Sequence, residues 1–187
     1  MKNINYSKEL SIATRAALES GKLLKENKNS LNLEVKSGKR DTKLKADTSS
    51  ENLIKNIIEC NSKYPILAEE SGRSSEILGE TFWVIDPLDG TANYSRNIPI
   101  CCVSIGLVKD LKPILGVIYD FNNDDLYIGN KFKKHSTLND ETLSVSNVKE
   151  KRNGILLTGL PVNTDFSERS LKKLIDDMQS WKKIRMI

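Results

Sequence analysis

Apolar positions recur at helical spacing from the start of the chain. Leu10, Ala13, Ala17, Gly21 and Leu24, with charged residues between them, predict an amphipathic helix over Asn5 to Asn27. Leu53, Ile54, Ile57 and Ile58 predict a second core-facing helix ending near Cys60. Ahead of it, Thr48-Ser49-Ser50-Glu51 reads as a capping box, a hydroxyl and a carboxylate meeting the first free amides of the helix. Lys36-Ser37-Gly38-Lys39-Arg40-Asp41, polar and glycine-containing, reads as the loop between the helices. After Pro65 the period changes. Ile66-Leu67-Ala68, Phe82 to Ile85, Cys101 to Val108, Ile114 to Tyr119 and Leu126 to Ile128 are short apolar or alternating runs bounded by Gly, Pro, Asn or Asp, the punctuation of strands. The later runs lie too close together for crossover helices, so they are expected to pair antiparallel. Leu143-Ser144-Val145 and Ile155-Leu156-Leu157 read as further strands. Ser167 reads as the cap of a helix carrying Leu171, Leu174, Ile175 and Met178 on one face. The pattern as a whole is α+β, two N-terminal helices on a mainly antiparallel sheet. The apolar pattern of Lys182 to Ile187 begins one more strand and stops there, which suggests an element still to come.

The 187 residues, 38% hydrophobic and 29% charged, are those of a folded globular chain rather than a disordered or fibrous one. Ile98 to Val108, the longest apolar stretch, falls well short of the ~20 residues that cross a bilayer. The N-terminus lacks the pattern of a secretory signal, so a cytoplasmic setting is expected. A net charge of +4, spread in pairs such as Lys133-Lys134 and Lys182-Lys183, gives no concentrated basic patch for nucleic acid. Cys60, Cys101 and Cys102 fit neither a disulfide framework nor a zinc site and read as reduced structural thiols. His135 is the single histidine and sits in a basic run as a solvated loop residue. Any chemistry therefore rests on carboxylates and hydroxyls.

Trp83-Val84-Ile85-Asp86-Pro87-Leu88-Asp89-Gly90-Thr91 is the most informative segment. An apolar strand delivers Asp86, and Pro87 with Gly90 shapes a turn that brings Asp89 back beside it. Two carboxylates so placed conflict as bare anions. A hard divalent cation resolves the conflict, and magnesium in particular takes one or two carboxylates with waters and a substrate phosphate. Alone, such a pair is more often a simple turn. Ala68-Glu69-Glu70-Ser71-Gly72 ends another short strand with two more acids, whose end in an antiparallel sheet is expected to lie beside Asp86. Asp47 lies just before Thr48 and is either a fourth member of this cluster or a charge favouring the helix start.

Asp86-Pro87-Leu88-Asp89-Gly90-Thr91, preceded by Glu69-Glu70-Ser71-Gly72 and followed by Asn93 and Val103-Ser104-Ile105-Gly106, resembles the inositol monophosphatase family of magnesium-dependent, lithium-sensitive phosphatases. At average residue usage the six-residue pattern arises by chance less than about once per million positions. The resemblance spans essentially the whole chain. It implies the N-terminal metal-binding lobe, residues 1–187, of a layered α/β/α/β/α sugar-phosphatase fold. It further implies that Glu69, Asp86 and the carbonyl of Leu88 hold a first Mg²⁺, and that Asp86 and Asp89 contribute to a second. Asp47 and Thr91 match the pair that, with Glu69, orients and deprotonates the attacking water. Substrate contacts are expected from Glu69, Leu88, Asp89 and the backbone amides of Gly90 and Thr91, which face the phosphate. Two-metal activation of water is coherent chemistry for a phosphomonoester and needs no histidine.

Family members carry a second lobe with a Trp-Asp motif completing the second metal site, whereas here Trp181 is followed by Lys182. The expectation is weak binding of the second metal and poor turnover by this chain alone, with a homodimer or a separately supplied C-terminal lobe as the protein partner. A haloacid-dehalogenase-like phosphatase is excluded because Pro87, which cannot attack, stands where that D-x-D chemistry places its first, nucleophilic aspartate. The competing class is a non-catalytic binding module of the same fold. Asn93-Tyr94-Ser95-Arg96-Asn97-Ile98-Pro99 resembles the inositol or sugar phosphatase branch more than the branch acting on 3′(2′),5′-bisphosphate nucleotides.

Overall fold

The structure, a computed structural model, describes residues 6–37, 42–133, 135–160 and 164–186. Two compact units divide the chain, Met1–Ser144 and Val145–Ile187.

The first unit opens with α1 (Ser7–Glu26), followed by the single turn α2 (Lys28–Leu31). The expected helix is thus present; Asn5 lies outside the described residues. Its buried stripe is Ile12, Ala13, Ala16, Ala17, Ser20, Gly21 and Leu24. Small residues dominate it because the sheet comes very close: a Cβ on Gly21 would lie 2.4 Å from the Tyr119 ring and 2.9 Å from Phe121 Cβ. Next come strands β1 (Glu34–Ser37) and β2 (Thr42–Leu44), an antiparallel pair. Lys36 and Ser37 therefore belong to a strand rather than to the expected loop, and 38–41 lie outside the described residues.

Helix α3 (Lys45–Asn61) begins earlier than its sequence suggests. Thr48 is not its cap. Leu44 occupies the N-cap position, and Asp47, three residues on, reaches back to accept the Leu44 amide at 2.6 Å. That frees Ser50 and Glu51 from capping, and both turn into the interior, 0% and 3% exposed.

The remaining elements are β3 (Ile66–Ala68), β4 (Gly72–Arg73), β5 (Thr81–Asp89), the short α4 (Thr91–Ser95), β6 (Cys102–Lys109), β7 (Lys112–Asp120), β8 (Asp125–Asn130), β9 (Thr137–Leu138) and β10 (Glu141–Thr142). Strands β3 to β10 form one eight-stranded sheet in the order β10-β9-β8-β7-β6-β5-β3-β4. As expected, β5 to β10 run antiparallel, each to the next. Asp110 and Leu111, both at positive φ, form the tight loop between β6 and β7, the backbone that suits the twist of two adjoining strands. Leu143 to Val145 is not a strand: Val145 is 93% exposed, so an alternating pattern alone does not make one. One pairing departs from the antiparallel rule. Strands β3 and β5 are parallel, with Ile66 opposite Trp83 and Ala68 opposite Ile85. Helices α1 and α3 pack on this sheet around a core that includes Leu24, Ile54, Trp83, Ile85, Ile105 and Val117. Trp83 is fully buried, and its indole N–H donates to Ser62 Oγ at 3.0 Å.

In the second unit β11 (Ile155–Thr158) and β12 (Lys183–Met186) pair parallel, joined through α5 (Glu168–Gln179). Ser167 caps that helix as expected, accepting the Ser170 amide at 3.4 Å. No helix among the described residues is long and apolar enough to cross a membrane.

Candidate active site

The parallel pairing of β3 with β5 brings the acids together. Parallel strands run to the same edge, so Glu69, just past the end of β3 at Ala68, comes beside Asp86, which follows Ile85 within β5. An antiparallel pair would have sent them to opposite ends. Their carboxyls are close enough to act on each other's titration. Glu69 is exposed as a residue, yet its carboxyl is partly enclosed. Desolvation first, then the neighbouring carboxyl of Asp86, raise it to about 7. Asp86 is raised too, by burial and by Asp89.

After Asp86 the chain makes an Asx turn, Leu88 N donating to Asp86 Oδ1 at 3.2 Å. Strand β5 loses register with β6 between Asp86 and Asp89, and this bulge swings Asp89 outward toward Cys102, whose thiol lies 3.9 Å from Asp89 Oδ2. Gly90 follows at φ +90, where a Cβ would lie 2.6 Å from the Ile100 carbonyl. Both conformation and space require glycine here. The turn delivers Thr91 as the first residue of α4.

Asp47 arrives from the other side, on the first turn of α3 and 1% exposed. One of its oxygens is held by the Leu44 amide, and the other accepts the Thr91 hydroxyl at 2.8 Å. Burial raises Asp47, while these two hydrogen bonds act to lower it. Thr91 Oγ1 also lies 3.1 Å from the Leu88 carbonyl. With its one proton engaged, the hydroxyl has lone pairs left to accept from a water. Asp47, a residue with two candidate readings in the sequence, both caps the start of α3 and holds the Thr91 hydroxyl.

Asp47, Glu69, Asp86, Leu88, Gly90 and Thr91 thus form one continuous set of contacts. Asp89 lines an open cleft of about 440 Å³ together with Gly90, Asn93, Cys102, Asp120 and Asn123. Among the described residues no three Asp, Glu, His or Cys side chains converge in ligating geometry; the carboxyls meet in pairs. The donors on offer are carboxylates and one carbonyl, hard oxygens that suit Mg²⁺. Cys102 adds no competing thiolate, since burial, then Asp89, pushes it up to about 12. The residues present fit a divalent cation at Glu69 and Asp86, whose mutual repulsion it would relieve. Cys60, Cys101 and Cys102 are all free thiols, and His135 is exposed.

Two inward-facing residues escape a reading for motifs. Ser50 Oγ donates to the Pro87 carbonyl at 2.7 Å, and Glu51 accepts the Glu70 amide at 2.9 Å. The available signal was periodicity: Asp47, Ser50, Glu51, Ile54, Ile57 and Ile58 form one continuous stripe along α3, polar where a core helix is normally apolar.

A model of the inositol monophosphatase family matches residues 5–186. The chain belongs to the inositol monophosphatase family. The fructose-1,6-bisphosphatase/inositol-1-monophosphatase of Aquifex aeolicus is 42% identical over 132 residues, covering 68% of this chain and 49% of that protein. Bovine inositol monophosphatase 1 is 33% identical over 155 residues, 79% of this chain and 55% of that protein. The crystal structure of the extragenic suppressor protein SuhB from Bartonella henselae superposes with a TM-score of 0.85 at 28% identity, over 96% of this chain and 70% of that one. The chain spans about half the length of these curated relatives. The family accounts for the α+β fold.

Proposed function

We propose that this chain acts as a Mg²⁺-dependent phosphomonoesterase of the cytoplasm, with inositol monophosphate or a related sugar phosphate as substrate. The observation that carries the reading is the hydrogen bond from Thr91 to Asp47, set next to the paired carboxyls of Glu69 and Asp86. Glu69, Asp86 and the Leu88 carbonyl would hold a first cation and Asp86 with Asp89 would contribute to a second; when bound, these supply Lewis acidity toward water and phosphate. Asp47 fixes the Thr91 hydroxyl, whose lone pairs then accept one proton of the attacking water and aim its oxygen. Glu69 stands nearby to take the other proton. The turn at Gly90 presents the Gly90 and Thr91 amides to the phosphate, and the cleft beyond Asp89 has the size of a small polar ester.

The test is phosphate release from inositol monophosphates, sugar phosphates and adenosine 3′,5′-bisphosphate, with and without Mg²⁺, beside calorimetric titration with Mg²⁺. The expected result is Mg²⁺-dependent release that Asp86→Asn abolishes. A chain that binds Mg²⁺ but releases phosphate from none of these overturns the catalytic reading in favour of a non-catalytic module. Preference for the bisphosphate overturns the assignment of substrate.

A further inference from the structure

We propose that Ser50 and Glu51 are positioning residues, one turn of α3 beyond Asp47, that hold the two acidic loops in register with each other; the inference rests on the metal-dependent reading above. Glu69 is anchored through both peptide groups that flank it. Its own amide donates to the Ile85 carbonyl at 3.1 Å, and the next amide, that of Glu70, donates to Glu51 Oε2 at 2.9 Å. With both planes fixed, the direction of the Glu69 Cα–Cβ bond is set before any cation arrives. The Pro87–Leu88 peptide is held in the same way: its carbonyl accepts from Ser50 Oγ at 2.7 Å, and its N–H donates to Asp86 Oδ1 at 3.2 Å. That peptide leads directly to the Leu88 carbonyl and to Asp89.

The proton count makes the arrangement directional. Pro87 O can only accept, so Ser50 donates to it. Ser20 Oγ, 2.5 Å from Ser50 Oγ, must then donate to Ser50. Ser20 and Ser50 are both fully buried, so no water competes for either bond. Glu51 is an acceptor at 3% exposure, and Lys43 draws the Glu70 side chain off through an ion pair, leaving the Glu70 amide to Glu51. Helix α3 thereby carries a row of three functional groups on one face: Asp47 to Thr91, Ser50 to the Asp86–Asp89 turn, and Glu51 to the Glu69–Glu70 turn. A single rigid helix sets all three distances, the kind of support that holds ligands in productive geometry.

The experiment uses the full chain as wild type, Glu51→Gln, Glu51→Leu and Ser50→Ala. Mg²⁺ affinity is measured by calorimetry, and hydrogen exchange of the Glu70 amide is measured without metal. Glu51→Leu and Ser50→Ala are expected to weaken Mg²⁺ binding about 10–100-fold. Glu51→Gln, which keeps an oxygen acceptor, stays close to wild type. Glu70 exchange accelerates in Glu51→Leu and not in Glu51→Gln. Unchanged Mg²⁺ affinity in folded Ser50→Ala and Glu51→Leu overturns the proposal, and so does a Glu51→Gln variant as impaired as Glu51→Leu, since charge rather than position would then be at work. A wild-type chain that binds no Mg²⁺ overturns the metal-dependent reading instead, and the Glu70 exchange comparison still decides whether Glu51 anchors the loop.

Discussion

Replacing Gly90 with alanine tests whether the turn between Asp89 and Thr91 is as constrained as it is drawn. Gly90 sits at φ +90, and an added Cβ would meet the Ile100 carbonyl at 2.6 Å and the Cys101 Cβ and Cα at 3.1 and 3.2 Å. The left-handed conformation alone costs alanine about 1–2 kcal/mol. Forcing a methyl group against backbone adds roughly 1–3 kcal/mol, because Ile100 is main chain and cannot rotate aside. The combined loss of about 2–5 kcal/mol is a large part of a typical domain stability of ~5–15 kcal/mol. It should lower the unfolding midpoint by about 5–15 °C. Gly79 provides the control, with φ +70 and nothing within 4 Å of the added Cβ. Gly79→Ala should therefore lose only the conformational part, about 1–2 kcal/mol. Urea unfolding of the two variants beside wild type isolates the contact. Equal losses in both would show that Ile100 yields to the methyl group and that the packing argument is mistaken. A Gly90→Ala chain that stays folded should also bind Mg²⁺ more weakly, since the neighbours of residue 90 are Asp89 and Thr91.

Four further outcomes are expected. Asp47→Asn offers an NH₂ to one of two donors, the Leu44 amide or the Thr91 hydroxyl, so it should lose about 1–3 kcal/mol in urea unfolding. The same variant should lose about 10–100-fold in phosphate release, as loss of a group that orients a catalytic partner does. Ser50→Ala strands both the Pro87 carbonyl and the Ser20 hydroxyl, whereas Ser20→Ala removes one donor and leaves Ser50 on Pro87; Ser50→Ala must be the more destabilising, and the reverse order refutes the donor assignment. Saturating Mg²⁺, at about a hundred times its dissociation constant, should add ~2.7 kcal/mol to wild-type stability and nothing to Asp86→Asn, read as a shift in thermal midpoint. Iodoacetamide followed by mass spectrometry should label exposed Cys60 first. Burial raises both Cys101 and Cys102, the latter to about 12, so the Cys102 thiolate forms only at strongly alkaline pH, and labelling of Cys102 at neutral pH in folded protein would contradict its environment.

The legible parts of this protein are those whose physics is local. Helices α1 and α5 follow from spacing and from the Ser167 cap, and β5 to β8 follow from short apolar runs closed by turn residues. The Asp86–Thr91 turn is written within one contiguous segment, which is why the family can be read from it. Period and turn chemistry act over a few residues, so a chain read in order reveals them. Three decisive features are of another kind. Whether β3 lies parallel to β5 depends on which strand the core places beside it, and that choice puts Glu69 next to Asp86. The start of α3 is settled by Asp47 reaching back to Leu44, which turns Ser50 and Glu51 from caps into interior groups. Thr91 meets Asp47 only because α3 packs over the end of β5. The β3–β5 pairing and the Thr91–Asp47 bond join segments apart in the chain, with no shared local pattern to announce them, and burial of the common core brings them together; the Asp47–Leu44 bond spans only three residues but competes with the capping pattern of Thr48-Ser49-Ser50-Glu51, and burial of Ser50 and Glu51 decides between the two.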